Sequence, residues 1–173
     1  MDRLFEKSFK KLDRIPTDFS RYLLDQVDFS SRLTGIKGAR GAGKTTLLLQ
    51  HAHRELPLDH QTLYVSLDDL WFTENKLADL ADTFVKRGGR YLLLDKVHRY
   101  TGWSQELKNI YDDLPELSVV FTGSSMLHLD KARADLSRRA IMYELRGLSF
   151  REYLRLMTNA PIQKIEWETL LRD

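Results

Sequence analysis

The stretch Gly38-Ala39-Arg40-Gly41-Ala42-Gly43-Lys44-Thr45 satisfies the pattern G-x-x-x-x-G-K-[ST] at every fixed position. Each fixed residue has a physical task in holding phosphate. Glycines allow backbone angles and close approaches that a side chain would block. Successive backbone N–H groups can then turn inward and form a concave anion site. Lys44 adds a point charge for the β- and γ-phosphates, and the Thr45 hydroxyl is placed to ligate Mg²⁺. A helix starting at Lys44 directs its positive dipole end at the same phosphates. The residues expected to touch nucleotide are therefore Gly38, Ala39, Arg40, Gly41, Ala42, Gly43, Lys44, Thr45 and the following Thr46.

The flanks supply the context the pattern requires. Arg32-Leu33-Thr34-Gly35-Ile36 is strand-like, and Thr46-Leu47-Leu48-Leu49-Gln50-His51-Ala52 continues as a helix. Across the chain, strands are expected over 33–37, 62–67, 91–95, 118–122 and 141–145. Helices are expected over 44–54, 75–87 and 104–113, with Gly88-Gly89 closing the second. The runs Tyr91-Leu92-Leu93-Leu94 and Val119-Val120-Phe121 are apolar at every position, as in central parallel strands covered on both faces. Strands alternating with helices imply an α/β fold of three layers, α/β/α, around a parallel five-stranded sheet. Ligands in such sheets lie beyond the carboxyl ends of the strands.

At the N-terminus, apolar residues recur from Leu4 to Leu12 and from Ile15 to Leu24 at helical spacing, broken near Pro16. Two amphipathic helices forming an arm against the sheet are expected over residues 1–30. From Phe150 the pattern is helical again, breaks at Asn159-Ala160-Pro161, and resumes with Ile165, Trp167, Leu170 and Leu171. An apolar stripe with no partner there suggests that a helical region begins at 158–173 and continues.

Composition excludes several classes. The 173 residues contain no cysteine, which removes disulfides, thiolate zinc and thiol catalysis. The net charge of +2 does not by itself argue for nucleic acid. The charged start Met1-Asp2-Arg3-Leu4-Phe5-Glu6-Lys7 is no apolar signal core, and no run is long enough to span a bilayer. A cytoplasmic domain with no membrane contact is expected.

A second half of the site follows the third strand. Leu94-Asp95 is an apolar strand ending in an acid, a Walker B arrangement in which Asp95 would hold Mg²⁺ opposite Thr45. The next residue is Lys96. Many ATPases of this type carry glutamate here to polarise the attacking water, which a protonated lysine cannot do. Lys96 could face the γ-phosphate, or turn away to pair with Asp68 or Asp69. Phe121-Thr122-Gly123-Ser124-Ser125 ends the fourth strand, with Ser124 the first candidate γ-phosphate sensor and Thr122 the second; a helix cap is the bland alternative. Arg138 and Arg139 precede the fifth strand, where an arginine can reach a neighbouring subunit's γ-phosphate or simply be solvated. His98 reads more readily as a structural hydrogen-bonder than as a proton relay.

Gly38 to Thr45, Leu94-Asp95-Lys96-Val97-His98-Arg99-Tyr100, Trp103, Phe121 to Ser125 and Leu148-Ser149-Phe150-Arg151-Glu152-Tyr153 together resemble a prokaryotic family of AAA+-like P-loop ATPases. The resemblance implies a sheet order of 5-1-4-3-2, a core over residues 31–157, and ATP with Mg²⁺ as ligands. It carries over Lys44, Thr45 and Asp95 as site residues, Ser124 as sensor and Arg139 as a possible finger. Family members continue into a helical region and a C-terminal domain resembling restriction endonucleases. The family pattern has glutamate where this chain has Lys96, which implies impaired hydrolysis. Two readings follow: an ATPase driving motion of an appended domain or a homo-oligomer, or a nucleotide-dependent switch without useful turnover. A small-molecule kinase fits less well, lacking an arginine-rich lid, and a GTPase lacks Asn-Lys-x-Asp.

Overall fold

Five parallel strands lie in the order β2-β3-β4-β1-β5, the expected 5-1-4-3-2 read from the other edge. They are β1 (Leu33–Gly38), β2 (Thr62–Ser66), β3 (Tyr91–Asp95), β4 (Ser118–Gly123) and β5 (Ile141–Leu145). The helices are α1 (Asp2–Asp13), α2 (Lys44–Glu55), α3 (Leu77–Lys86), α4 (Trp103–Asp113) and α5 (Phe150–Thr158). This computed structural model describes residues 1–124 and 136–158. Ser125, the break at Pro161 and the later apolar stripe lie outside those residues.

Alternation along the strands builds two cores. Leu92, Leu94, Val119 and Phe121 face α3 and α4, packing with Leu80, Phe84, Leu107 and Ile110. Leu93 and Val120, one residue out of phase, face α2 and pack with Leu47, Leu48 and Ala52. Side chains that alternate across a strand need apolar residues at every position when both faces are covered. Phe84 and Phe121 are fully buried, each stabilising the fold by roughly 1.5–3 kcal/mol relative to exposure. Gly88, at φ 87°, ends α3 as expected, its N–H donating to the Val85 carbonyl at 2.9 Å.

The N-terminal residues cover a sheet edge. α1 places Leu4 in the first core and Leu12 in the second, so the helix lies across edge strand β2. An edge strand leaves backbone groups unpaired. Here the buried Ser8 hydroxyl accepts the Tyr64 N–H at 2.9 Å, meeting one of them. The second amphipathic helix expected after Pro16 is instead a short 3-10 turn, Tyr22–Asp25. The carbonyls of Pro16 and Phe19 are taken by the Gln50 amide at 2.8 Å each. With those acceptors committed to a side chain on α2, the segment runs irregularly until Tyr22. α5 exposes Phe150, Tyr153, Leu156 and Met157.

Candidate functional site

The carboxyl ends of β1, β3 and β4 converge on one edge of the sheet. In register, Ser66 of β2 pairs with Asp95 of β3, and Lys37 of β1 pairs with Gly123 of β4. The β1–α2 loop turns there through Gly41 at φ 81° and Gly43 at φ 96°, angles that L side chains rarely adopt. Gly43 is also the N-cap of α2, and with no side chain it makes no capping hydrogen bond. The first N–H groups of α2 are thus left to an external acceptor. A polar cleft of 400 Å³ opens at this point, lined among others by Arg40, Lys44, Thr45, Asp68, Asp95, Lys96, His98, Thr122 and Ser124.

Lys44 is 8% exposed and donates to the Gly38 and Ala39 carbonyls at 2.8 and 2.7 Å. Burial lowers the pKa of its ammonium, while the Asp95 charge opposes that fall. Asp95 is 2% exposed. It accepts the hydroxyls of Thr45 at 2.8 Å, Tyr64 at 3.1 Å, and Thr122. Burial first, and then the Asp95 carboxylate, raise the Tyr64 pKa, keeping the phenol a neutral donor. Thr45 and Asp95 thus stand as two adjacent oxygen donors at the mouth of a glycine-loop cradle. A hard cation such as Mg²⁺ takes few protein ligands, keeping waters and phosphate oxygens for the rest, so this pair fits it. Among the described residues, no group of three or more His, Cys, Asp or Glu side chains could hold a metal.

Lys96 has φ 56°, the one positive value among described non-glycine residues. Its ammonium pairs with Asp68 at 2.6 Å, within the same cleft. The Asp68 carboxyl, pushed up by burial, is more than offset by hydrogen bonds from Lys96 and Ser66 and titrates below its ordinary value. Asp69 pairs instead with Lys7 of α1. Of the two sensor candidates, Thr122 is fully buried on Asp95. Ser124 faces the cleft, its Oγ 2.8 Å from His98 Nε2, with its N–H donating to His98 Nδ1 at 3.2 Å. An accepting Nδ1 implies that Nε2 carries the proton and donates to Ser124.

Arg139 is not brought to this site. It precedes β5, at the amino ends of the strands, and forms a two-pronged pair with Asp112 at 2.8 and 2.9 Å. Two participants escaped the sequence reading. Tyr64 reaches Asp95 from a neighbouring strand, and only the register of β2 on β3 could have revealed it. Arg21, described below, meets the phosphate loop through its Ala42 carbonyl. Its partner Glu152 is visible in sequence as the fourth residue of Ser149-Phe150-Arg151-Glu152, a capping-box signature. A second cleft, of 460 Å³, lies on the outer side of the loop between Phe19, Thr46, Gln50, Gly147 and Leu148.

A family model for an AAA domain matches residues 30–154. The uncharacterized protein MJ1637 of Methanocaldococcus jannaschii is 36% identical over 145 residues, covering 79% of this chain and 30% of that protein. The chain therefore spans less than a third of the curated relative it matches. In fold it is similar to Aeropyrum pernix ORC1, solved in complex with DNA (TM-score 0.54, 14% identity, 89% of this chain and 48% of that one). It is also similar to C. elegans PCH-2 (TM-score 0.52, 17% identity, 91% and 45%) and to AMPPCP-bound DnaA from Aquifex aeolicus (TM-score 0.50, 16% identity, 96% and 53%). At these identities the likeness speaks for the fold alone. The family match covers most of the sequence, runs from the start of β1 into α5, and includes the phosphate loop and the Asp95 strand: the chain belongs to the AAA-domain family of AAA+-like P-loop ATPases.

Proposed function

We propose that this domain binds ATP with Mg²⁺ and turns it over slowly, so that occupancy rather than rapid hydrolysis sets its state. The observation that carries this reading is the Lys96–Asp68 pair, at 2.6 Å, in the cleft that holds Lys44, Thr45 and Asp95. The loop N–H groups and Lys44 would take the β- and γ-phosphates, with Lys44 exchanging its loop carbonyls for phosphate oxygens. Thr45 and Asp95 would hold Mg²⁺, which neutralises charge on the phosphates. The cleft beside Phe19, Gln50 and Leu148 would receive the base. An AMPPCP-bound protein of the same fold is consistent with such a ligand.

Hydrolysis needs a group that accepts a proton from the attacking water. At position 96 the chain offers an ammonium, which cannot accept one. Asp68, the other carboxylate lining the cleft besides Asp95, is held below its ordinary pKa by Lys96 and Ser66 and is correspondingly weak as a base. Ser124 remains the candidate γ-phosphate sensor, held by His98. Arg139 could act only after leaving Asp112, and then on a neighbouring copy.

The test is nucleotide binding and phosphate release on one preparation with Mg²⁺, beside Lys44→Ala and Lys96→Glu. The expected result is binding lost at least tenfold in Lys44→Ala, with release rising at least tenfold in Lys96→Glu. Rapid release by the unaltered chain, abolished by Asp68→Asn, would refute slow turnover and make Asp68 the base.

A further inference from the structure

Arg21 lies in the irregular segment before β1, yet it is 5% exposed. A guanidinium carries five donors in a planar fork and loses much solvation when buried, so its partners define its purpose. Its Nη1 donates to the Ala42 carbonyl, inside the phosphate loop. Its Nη2 donates to the carbonyls of Arg146 and Gly147 at 2.9 and 3.0 Å, in the connection that leaves β5. Its Nε donates to Glu152 at 2.9 Å, in the first turn of α5. One side chain therefore joins the loop of the proposed nucleotide site to the entry of α5.

Glu152 is equally committed. It is 7% exposed and accepts from Arg21 and the Tyr22 N–H on one oxygen, both at 2.9 Å. Its other oxygen accepts the Ser149 N–H at 2.9 Å and the Ser149 hydroxyl at 3.0 Å. That reciprocal capping box sets where α5 starts and in which direction it leaves. A buried pair with four of the five guanidinium donors and both carboxylate oxygens engaged has few alternative geometries, so displacement at one end is passed to the other rather than absorbed.

We propose that Arg21 is a positioning residue of the phosphate loop, and that through Glu152 it couples occupancy of the loop to the docking of α5. The inference rests on the nucleotide reading above. Phosphate drawn into the loop competes for the groups around Ala42, and Arg21 must follow the Ala42 carbonyl. Arg21 in turn holds Arg146, Gly147 and Glu152, so α5 tightens or loosens with the loop. By linkage, whatever shifts α5 changes nucleotide affinity by the same factor.

The experiment is amide hydrogen exchange across residues 146–158, with and without ATP–Mg²⁺ or ADP–Mg²⁺, with nucleotide affinity measured alongside. Native protein is compared with Arg21→Lys, which keeps the charge but not the fork, and with Glu152→Gln. Lys44→Ala serves as the binding-deficient control. In the native protein, exchange at the first turn of α5 should change at least threefold on nucleotide addition, and in Lys44→Ala it should not. In Arg21→Lys and Glu152→Gln, nucleotide should still bind, three- to thirtyfold more weakly, while the exchange response at α5 is lost. A merely structural role would raise exchange in both variants without removing its response to nucleotide. Native protein that binds nucleotide with no response at α5, or a response that survives in both variants, overturns the coupling. Native protein that binds no nucleotide overturns the functional reading instead, a result distinguishable because the affinity measurement reports it directly.

Discussion

Replacing Glu152 with glutamine should cost stability at neutral pH and cost much less in acid. Burial pushes the Glu152 carboxyl up, but hydrogen bonds from Arg21, Ser149 and Tyr22 outweigh it and hold the group at about 2, against an ordinary 4.5. Because the folded state lowers this pKa, the contribution is fully present above 4.5 and is lost as pH falls through 2. Worked from those two values, it is roughly 3 kcal/mol above pH 5 and about 1.4 kcal/mol at pH 3. Removing one partner of a buried pair costs about 3–5 kcal/mol, and an amide that still accepts one hydrogen bond belongs near the lower end. The assay is urea unfolding of native and Glu152→Gln protein at pH 7, 5, 4 and 3. Other titrating groups contribute to both proteins and cancel in the difference. The gap should be about 3 kcal/mol at pH 7 and shrink by more than half by pH 3. A gap that stays constant over that range would refute the claim that the ionised carboxylate holds this junction together.

Other outcomes follow from different parts of the fold. His51, 4% exposed and stacked on Phe29 at 3.5 Å between centroids, is pushed down to about 4, first by burial and then by the Arg54 charge. Its neutral form therefore contributes stability above pH 6.5 that declines towards pH 4, about 3 kcal/mol in all, and His51→Phe should remove that slope from a pH series of unfolding curves. Ser8→Ala leaves the Tyr64 N–H on edge strand β2 without its acceptor and should cost about 1–3 kcal/mol in denaturant unfolding, with faster exchange at that amide. Arg139→Ala removes a partly exposed pair with Asp112, which solvent screens, so the urea midpoint should barely move. Nucleotide affinity of the isolated domain, measured by titration calorimetry, should not move with that substitution.

The sheet was legible because its signals are local and agree with one another. Tyr91-Leu92-Leu93-Leu94 can be covered on both faces only as a central strand, and the structure pairs it on both sides. The phosphate loop was legible for the same reason: the left-handed angles at Gly41 and Gly43 are demanded by the loop and supplied by the residue type. Parts of the site that depend on register or on distant chain were harder to read. Nothing near Tyr64 announces a hydroxyl aimed at Asp95, because that contact exists only once β2 lies beside β3. The helix expected after Pro16 failed because helical spacing cannot foresee that Gln50 takes two backbone carbonyls. Arg21 looks like one more basic residue of a mildly basic chain until its four partners, from segments far apart, come together.

Lys96 is where local sequence and local geometry point in different directions, and that makes it informative. A left-handed angle disfavours a side chain with a Cβ by about 1–2 kcal/mol, and the exposed pair with Asp68 contributes too little to offset it. The conformation must therefore be imposed by its surroundings: the Asp95 end of β3 on one side and the 3-10 turn Val97–Arg99 on the other. A backbone held in this way directs whichever side chain it carries along the same path, which here runs towards Asp68. A glutamate at this position would meet a second carboxylate rather than a cation. Two such groups cannot both ionise cheaply, and one of them is raised towards the range of an effective base. The present lysine does the reverse, holding Asp68 ionised and weakly basic. One residue thus sets both what stands at the cleft and how its neighbour titrates, so Lys96→Glu changes two potential bases at once. Comparing it with the Asp68→Asn, Lys96→Glu double variant separates them: release that persists in the double variant belongs to the glutamate, and release that vanishes belongs to the pair.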